Sequence, residues 1–247
     1  VREPVPSRDH TERMLRAAGV ELMERDGMVG VHGPIAGLSL PDIRVPGDFS
    51  SAAFAIVAGV LRGDPEVRVT GVNLNPGRTG LLGVLERMGA DVRVERGPDV
   101  AGEPAGDVVV RRAGTLQATQ VTGDEVPAMV DELPLVGLLG ALAAGTTTVS
   151  GAGELRVKES DRVATVVGLL RAVGATADER EDGFVVTGAP SFPGGQVQSD
   201  HDHRLAMLGA VAGMASQGGV TVHGFEAASV SYPGFADDMA AIGAVVS

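Results

Sequence analysis

Five of the eight side chains between Leu155 and Arg162 are charged: Arg156, Lys158, Glu159, Asp161 and Arg162. A strand-like run, Thr146–Ser150, and a Gly-Ala-Gly turn precede this octapeptide. Behind it, Val163–Val173 repeats apolar residues at helical spacing up to Gly174. The charges are therefore expected on a turn and the first turn of a helix, where free backbone N–H groups and a partial positive charge favour anions. Lys158 and Arg162 are four apart and share a face if the helix has begun by Lys158. Glu159 beside them is placed to give or take a proton. Two cations, an acid and a helix start suit a substrate bearing phosphate or carboxylate. Taken alone, the same residues also fit a solvated first turn with an ordinary i,i+4 charge pattern.

Asp131 stands out by its surroundings. Val126–Ala144 is apolar almost throughout and reads as one long helix holding Asp131 and Glu132. An acid there costs free energy unless partnered. Nearby cations would keep it ionised, whereas burial would raise its pKa, and a helix acid facing solvent is the plainer alternative. In Asp200-His201-Asp202-His203 the two histidines are two apart, which suits a strand or loop but not one helix face. His203 reads as a residue that orients its loop, and no metal site is expected. Asp48, Ser50 and Ser51 read as caps of an apolar helix, and Arg78 as a solvated first-turn charge.

The elements that must carry these residues recur along the chain. After an extended Val1–Pro6, a helix from Ser7–Glu12 to Ala18 is followed by a hairpin, Val20–Glu24 with Met28–His32. A short strand Ile43–Val45, an apolar helix Ala52–Leu61, a strand Glu66–Thr70, a helix Gly80–Met88 and a hairpin of Asp91–Glu95 with Asp107–Arg111 come next. The order repeats as strand Ala118–Val121, the long apolar helix, strand Thr146–Ser150, the helix opened by the octapeptide, and a hairpin of Ala175–Glu179 with Phe184–Thr187. A third round runs from Gln196 through helix Leu205–Ala215, strand Val220–His223 and helix Gly234–Ile242 to a closing strand, Ala244–Val246. Leu85–Ala90, Leu170–Ala175 and Met239–Ala244 occupy one place in each round, and Met14–Gly19 is a fourth copy. The unit is β-α-β-α-β-β and roughly 70 residues long. Each unit pairs a helix that is apolar nearly all round with an amphipathic one. The fold class is therefore α/β (α+β), with buried helices and outward-facing sheets.

Composition narrows the function. With 247 residues the chain has room for one large domain or two small ones, and at 44% hydrophobic it can bury a substantial core. The net charge of −12 argues against nucleic acid and acidic membranes as partners, so an anion site must be a local basic cluster. With no Cys, disulfides, thiolate metal sites and Cys nucleophiles are excluded. No apolar run approaches the ~20 residues of a membrane span. No signal peptide is visible, and a cytoplasmic location is expected. The start at Val1, with Pro4 and Pro6 in a charged lead-in, reads as a chain entered in the middle, a fragment or a processed product.

The motifs Arg156–Arg162, Pro6–Thr11, Pro46–Ala52, Asn75–Gly80, Asp131–Pro134 and Asp202–Met207 closely resemble the 5-enolpyruvylshikimate-3-phosphate synthase (3-phosphoshikimate 1-carboxyvinyltransferase) family, in that order and over the whole chain. The related transferase acting on UDP-N-acetylglucosamine shares the repeated unit but not the motif around Lys158. The resemblance implies an enolpyruvyl-transferase-like architecture of two domains, each of three βαβαββ units, with the active site in the cleft between them. Residues 1–44 would be the last repeat of the substrate domain and 45–247 the C-terminal domain. The N-terminal half of the enzyme would be absent, together with a Lys that contacts both substrates, a Ser/Arg pair and a Gly/Arg loop.

The implied reaction moves the enolpyruvyl group of phosphoenolpyruvate to the 5-hydroxyl of shikimate 3-phosphate and releases phosphate, without cofactor or metal. Matched residue by residue, Asp131 and Glu159 resemble the catalytic acids. Lys158 resembles the shikimate 3-phosphate contact, Ser7 and Arg8 its phosphate loop, and Arg162 and Arg204 the phosphoenolpyruvate clamp. The implied partners are those two substrates and the N-terminal half of the same enzyme, in a monomer. As a lone piece the chain is expected to be inactive. The alternatives are a non-catalytic fragment that binds a small anion and an enolpyruvyl transferase with another acceptor. One departure matters: many relatives carry a Lys just before the final Phe/Tyr-Pro, where this chain has Ser229-Val230-Ser231-Tyr232-Pro233.

Overall fold

A computed structural model describes residues 1–245 apart from 4, 6, 36, 41 and 63–65. Helix α1 (His10–Ala17) leads into the antiparallel hairpin β1 (Leu22–Arg25) and β2 (Met28–Val31). Asp26 and Gly27 turn it, both at positive φ, which Asp tolerates and Gly adopts freely. Residues 32–46 form no regular element among those described. The strand expected at Ile43–Val45 is not formed, and Pro46 beside it has no N–H to donate to a ladder. Pairing falls to Gly47 instead, whose N–H donates to Gly71 O (2.8 Å) while its carbonyl accepts from Asn73 N (2.8 Å).

The first round continues with α2 (Phe49–Arg62), β3 (Val67–Asn73), α3 (Gly80–Arg87), β4 (Val92–Arg96) and β5 (Ala105–Val110), in a three-stranded antiparallel sheet ordered β3-β5-β4. The second holds β6 (Gln120–Val121), α4 (Leu133–Ala141), β7 (Thr146–Val149), α5 (Arg162–Ala172), β8 (Thr176–Arg180) and β9 (Gly183–Thr187), in a sheet ordered β6-β7-β9-β8. The third has β10 (Gly195–Gln198), α6 (His203–Ala215), β11 (Val220–His223), parallel to β10, and α7 (Phe235–Ala241). Its expected closing strand is not formed at Ala244 and Val245, and residue 246 lies outside the described residues.

The long helix expected over 126–144 is broken. A 3-10 turn spans Val126–Ala128, and α4 starts only at Leu133. Pro134 is the cause: inside a continuous helix its ring would clash with the carbonyl of Val130, whereas near a helix start its missing N–H costs nothing. Asp131 therefore stands at the mouth of α4 and not within a helix. The octapeptide differs as well. Gly153–Val157 is a 3-10 turn, Lys158 is extended (ψ −160°), and α5 begins at Arg162. Asp161 caps it, its Oδ1 accepting from Ala164 N at 3.1 Å. Lys158 and Arg162 thus do not share a helix face.

Helices α2, α4 and α6 form the centre of the molecule, and the sheets lie outside them with the edge strands β4 and β8 largely exposed. Each buried helix has glycine where it crosses its own sheet. A Cβ on Gly59 would come within 2.5 Å of Val110, on Gly140 within 2.9 Å of Thr147, and on Gly209 within 2.9 Å of Val197 and Val222. Bare backbone there lets each helix press close to its sheet. Gly83 on α3 meets nothing within 4 Å. We predict that Gly59→Ala destabilises the chain by about 1–3 kcal/mol through overpacking. Gly83→Ala should stabilise it by about 0.5–1 kcal/mol by restricting the unfolded backbone. Urea unfolding of the two variants checks the contrast, and a stabilising Gly59→Ala would refute the close crossing.

Candidate active site

The helix starts of α4, α5 and α6 bring their charged residues to one place. Asp131 Oδ2 accepts from Arg8 Nη2 at 2.8 Å and lies 3.5 Å from Arg204 Nη2, while Oδ1 lies 3.5 Å from Arg162 Nη1. Arg204 Nη1 also donates to the Asp131 carbonyl at 3.3 Å. Burial pushes the Asp131 pKa up, but Arg204, Arg8 and Lys158 outweigh it and hold the carboxylate below its ordinary range. The acid that a long apolar helix would have made costly is partnered by cations on three sides.

Arg162 is the largest fully buried side chain, 1% exposed. Its Nε donates to Asp202 Oδ2 at 2.8 Å and its Nη2 to Asp202 Oδ1 at 3.2 Å, a two-pronged match of guanidinium and carboxylate. On the outer side Nη2 meets Glu159 Oε2 at 2.6 Å. Asp202 is wholly buried and takes further bonds from Ser160 Oγ (3.0 Å) and Arg204 N (2.9 Å), the latter capping α6. With so many donors its carboxylate is held low despite burial. Asp202 thereby ties the start of α5 to the start of α6 and sets the spacing of Arg162 and Arg204.

The other residues singled out by sequence are placed less tightly. Glu159 is about half exposed at the mouth of the cluster. Lys158 bonds Glu154 at 2.5 Å and reaches Asp131 only through its field. Ser7 faces solvent, its hydroxyl donating to Glu3 at 2.8 Å. Asp200 and His201 are exposed and left-handed (φ 50° and 59°), while Asp202 turns inward, so the acidic histidine run presents no common face. Arg78 is not a solvated charge: its Nη2 donates to Asp48 at 2.6 Å and Ser50 at 2.7 Å. Asp48 caps α2 by accepting from Ser51 N at 2.9 Å.

Three residues of this arrangement escaped the sequence reading. Asp202 reads in sequence as one member of the Asp-His-Asp-His run, although its place before His-Arg at a helix start is an N-cap signature. Arg156 staples the octapeptide to the β8–β9 hairpin, donating to Asp161 (2.8 Å) and to the carbonyls of Arg180 (2.5 Å) and Glu181 (2.7 Å). Glu132, beside Asp131, is 1% exposed. Burial pushes its carboxyl up to about 7, with Ser50 and Arg204 pulling the other way. The Ser50 hydroxyl lies close by, yet neither oxygen of Glu132 makes a hydrogen bond of ordinary geometry.

Comparison with known proteins places this geometry in a class and then a family. The solved structure of the enolpyruvyl transferase NikO from Streptomyces tendae superposes with a TM-score of 0.74 at 24% identity, over 94% of this chain and 51% of that one, which speaks for a shared fold. The EPSP synthase of Acinetobacter baumannii superposes with a TM-score of 0.92 at 38% identity, covering 99% of this chain and 56% of that one. In sequence, the 3-phosphoshikimate 1-carboxyvinyltransferase of Gloeobacter violaceus is 46% identical over 242 residues, covering 98% of this chain and 56% of the relative. That of Desulfitobacterium hafniense is 46% identical over 235 residues, covering 95% and 54%. The model of the EPSP synthase (3-phosphoshikimate 1-carboxyvinyltransferase) family matches residues 1–239, and the chain belongs to that family. It spans about half the length of the curated relatives it matches.

Two predictions follow from the buried acids. Glu132 holds its proton more tightly folded (about 7) than unfolded (4.5). Its burial therefore costs nothing extra below pH 4.5, costs progressively more from 4.5 to 7, and costs the full amount above 7. Glu132→Gln removes that titration, so the variant should gain about 3 kcal/mol on the wild type between about pH 4 and pH 8. Urea unfolding at both pH values measures it, and a pH-independent difference would show that the acid does not titrate from the core. Asp202→Ala leaves a buried guanidinium with only Glu159 and Asp131 and should cost about 3 kcal/mol or more in the same assay.

Proposed function

We propose that this chain is the C-terminal portion of a 3-phosphoshikimate 1-carboxyvinyltransferase, and that its charged cleft is one wall of the site where shikimate 3-phosphate meets phosphoenolpyruvate. The observation that carries the reading is the convergence of Arg8, Arg162 and Arg204 on Asp131 at the mouths of buried helices. A proton must leave the 5-hydroxyl as its oxygen adds to C2 of phosphoenolpyruvate, and C3 must gain one. The tetrahedral intermediate then loses a proton from C3 and expels phosphate from C2, whose charge needs fixed cations. Asp131, kept ionised, suits the hydroxyl side. Glu159, exposed beside Arg162, suits the exchange with the methylene.

Arg204 is the readier half of the phosphoenolpyruvate clamp. Arg162 is sealed by Asp202 within and Glu159 without, so an incoming phosphate or carboxylate takes the place of Glu159 on its outer edge. Lys158 and Arg8 are assigned to shikimate 3-phosphate, and Ser7 to its phosphate loop. No Lys precedes Tyr232, which leaves Arg162 and Arg204 as the clamp on this side.

Residues 1–44 are assigned to the substrate domain and 45–247 to the C-terminal domain. Much of the large apolar surface left exposed lies in residues 1–45, including Met14, Met28, Leu38 and Val45, and α1 buries none of its residues. That surface fits a covering by the N-terminal half of the same enzyme, which would complete a monomer. Among the described residues no helix is long and apolar enough to cross a membrane, and a cytoplasmic setting accords with a cofactor-free biosynthetic transferase.

Phosphate release from the two substrates tests the reading. The chain alone should show negligible turnover, because half the ligands and the closure of two domains are wanting. Adding a separately made N-terminal half should restore it. Lys158→Ala should weaken shikimate 3-phosphate binding about tenfold in calorimetry, the loss of one charge-assisted contact. Equal binding of an unrelated anion, unchanged in Lys158→Ala, would favour a generic anion-binding module instead.

A further inference from the structure

The cations around Asp131 come from two parts of the chain. Arg162 and Arg204 sit at the starts of α5 and α6, whereas Arg8 lies on the stretch entering α1, a helix that buries no residue of its own. What holds that stretch in place is a polar knot around Asn75, which is 1% exposed although it lies in a loop. Its Nδ2 donates to Asp9 Oδ1 at 2.7 Å and to Glu103 Oε2 at 3.1 Å, and lies 3.4 Å from His10 Nδ1. Its Oδ1 accepts from Gly77 N at 2.8 Å, which fixes the amide's orientation. Glu103 in turn pairs with His10 Nδ1 at 2.7 Å and accepts from Asn73 Nδ2 at 3.1 Å. The turn after Asn75 lies directly on the Arg8 backbone: a Cβ on Gly77 would come 2.8 Å from Ser7 O and 3.3 Å from Arg8 Cα.

Arg8 is thus caught between the Gly77 turn against its own backbone and the next residue, Asp9, whose Oδ1 takes the Asn75 amide from one side and Arg13 Nε (2.8 Å) from the other. Asn75 itself makes no hydrogen bond to Asp131 and has no charge to offer it. We propose that Asn75 is a positioning residue, which through Asp9 fixes the Arg8 backbone so that the guanidinium reaches Asp131. A network of this kind is specific in geometry because every polar atom of a buried amide must be matched. The substrate consequence rests on the function proposed above; the positioning itself does not.

The test therefore begins without substrate. The side-chain carbon of Asp131 is followed by NMR through a pH titration in the chain as it stands, in Arg8→Ala, Asn75→Ala and the double variant. Arg8→Ala should move the Asp131 midpoint upward by about one pH unit, since a close cation is lost. Asn75→Ala should move it by a similar amount, and the double variant should move no further than Arg8→Ala. An unmoved midpoint in Asn75→Ala, or a shift that adds in full to that of Arg8→Ala, overturns the proposal. Asp9 offers the same test from the exposed side, should Asn75→Ala fail to fold: Asp9→Ala should reproduce the shift, and Asp9→Asn, which keeps an acceptor for Asn75, should restore the wild-type midpoint. Calorimetry with shikimate 3-phosphate then separates the two readings. If the midpoints behave as stated and Asn75→Ala also weakens binding as Arg8→Ala does, both stand. If the midpoints behave but neither variant alters binding, the positioning stands and the substrate assignment of Arg8 falls.

Discussion

The arrangement depends on burying one guanidinium. Arg162 is inaccessible to water, and a buried cation persists only where opposite charge and hydrogen bonds replace its hydration. Asp202 supplies them in two parallel bonds, at 2.8 and 3.2 Å, and is itself saturated by Ser160 and the start of α6. Such a pair is demanding in geometry and modest in net stability, so its worth lies in fixing one arrangement of two helices. With α5 and α6 locked, Arg204 and Arg162 hold a set spacing, and Asp131 settles between them. Preorganised charge of this sort acts without rearranging as a reaction proceeds, which is where electrostatic catalysis gains most.

Neighbouring carboxyls show the same economy from the other side. Asp131 and Glu132 are adjacent in the chain and both leave solvent, yet their proton affinities are driven apart. Cations surround Asp131 and keep it an anion. Glu132 lies deeper, with no hydrogen bond of ordinary geometry, and burial makes it hold a proton near neutral pH. Two like acids in one turn are thus separated by environment alone, so that one stays charged among its arginines while the other keeps its proton in the core up to about pH 7.

Much of this was legible in the sequence, and the limits have physical causes. The buried helices announce themselves by apolar runs and the repeat by its glycine-closed helix ends, because burial and left-handed caps leave local signatures. The break before α4 was also written, in Pro134, but the apolar run on both sides spoke louder. Asp161 marks the true start of α5, so the condition for Lys158 and Arg162 to share a helix face is not met. Asp202 announced its cap on α6 but left no local trace of its bond to Arg162. Its partner lies 40 residues earlier, and such a bond exists only once two helices are packed. Arg78 was misread for the same reason, since the Asp48 that pairs with it is 30 residues away.

The repeat explains why charge collects at one end of an acidic molecule. Each round places an acid at the mouth of its buried helix: Asp48 before α2, Asp131 before α4, Asp202 before α6. A helix start favours a negative group, so the position is stable on its own account. The first two rounds also place an arginine at or just before the start of the second helix, Arg78 and Arg162, and each bonds an acid of that series. In the third round the corresponding place is Ser231-Tyr232-Pro233, without a cation. Related helix mouths thus do different work. Asp48 with Arg78 closes on itself and caps a helix, while Asp202 with Arg162 braces two helices. Asp131 draws cations from both sides of its own round, Arg8 before it and Arg204 after it. Arg8 and Arg204 share that one carboxylate, so each guanidinium keeps donors to spare, and those donors are what an incoming anion would engage.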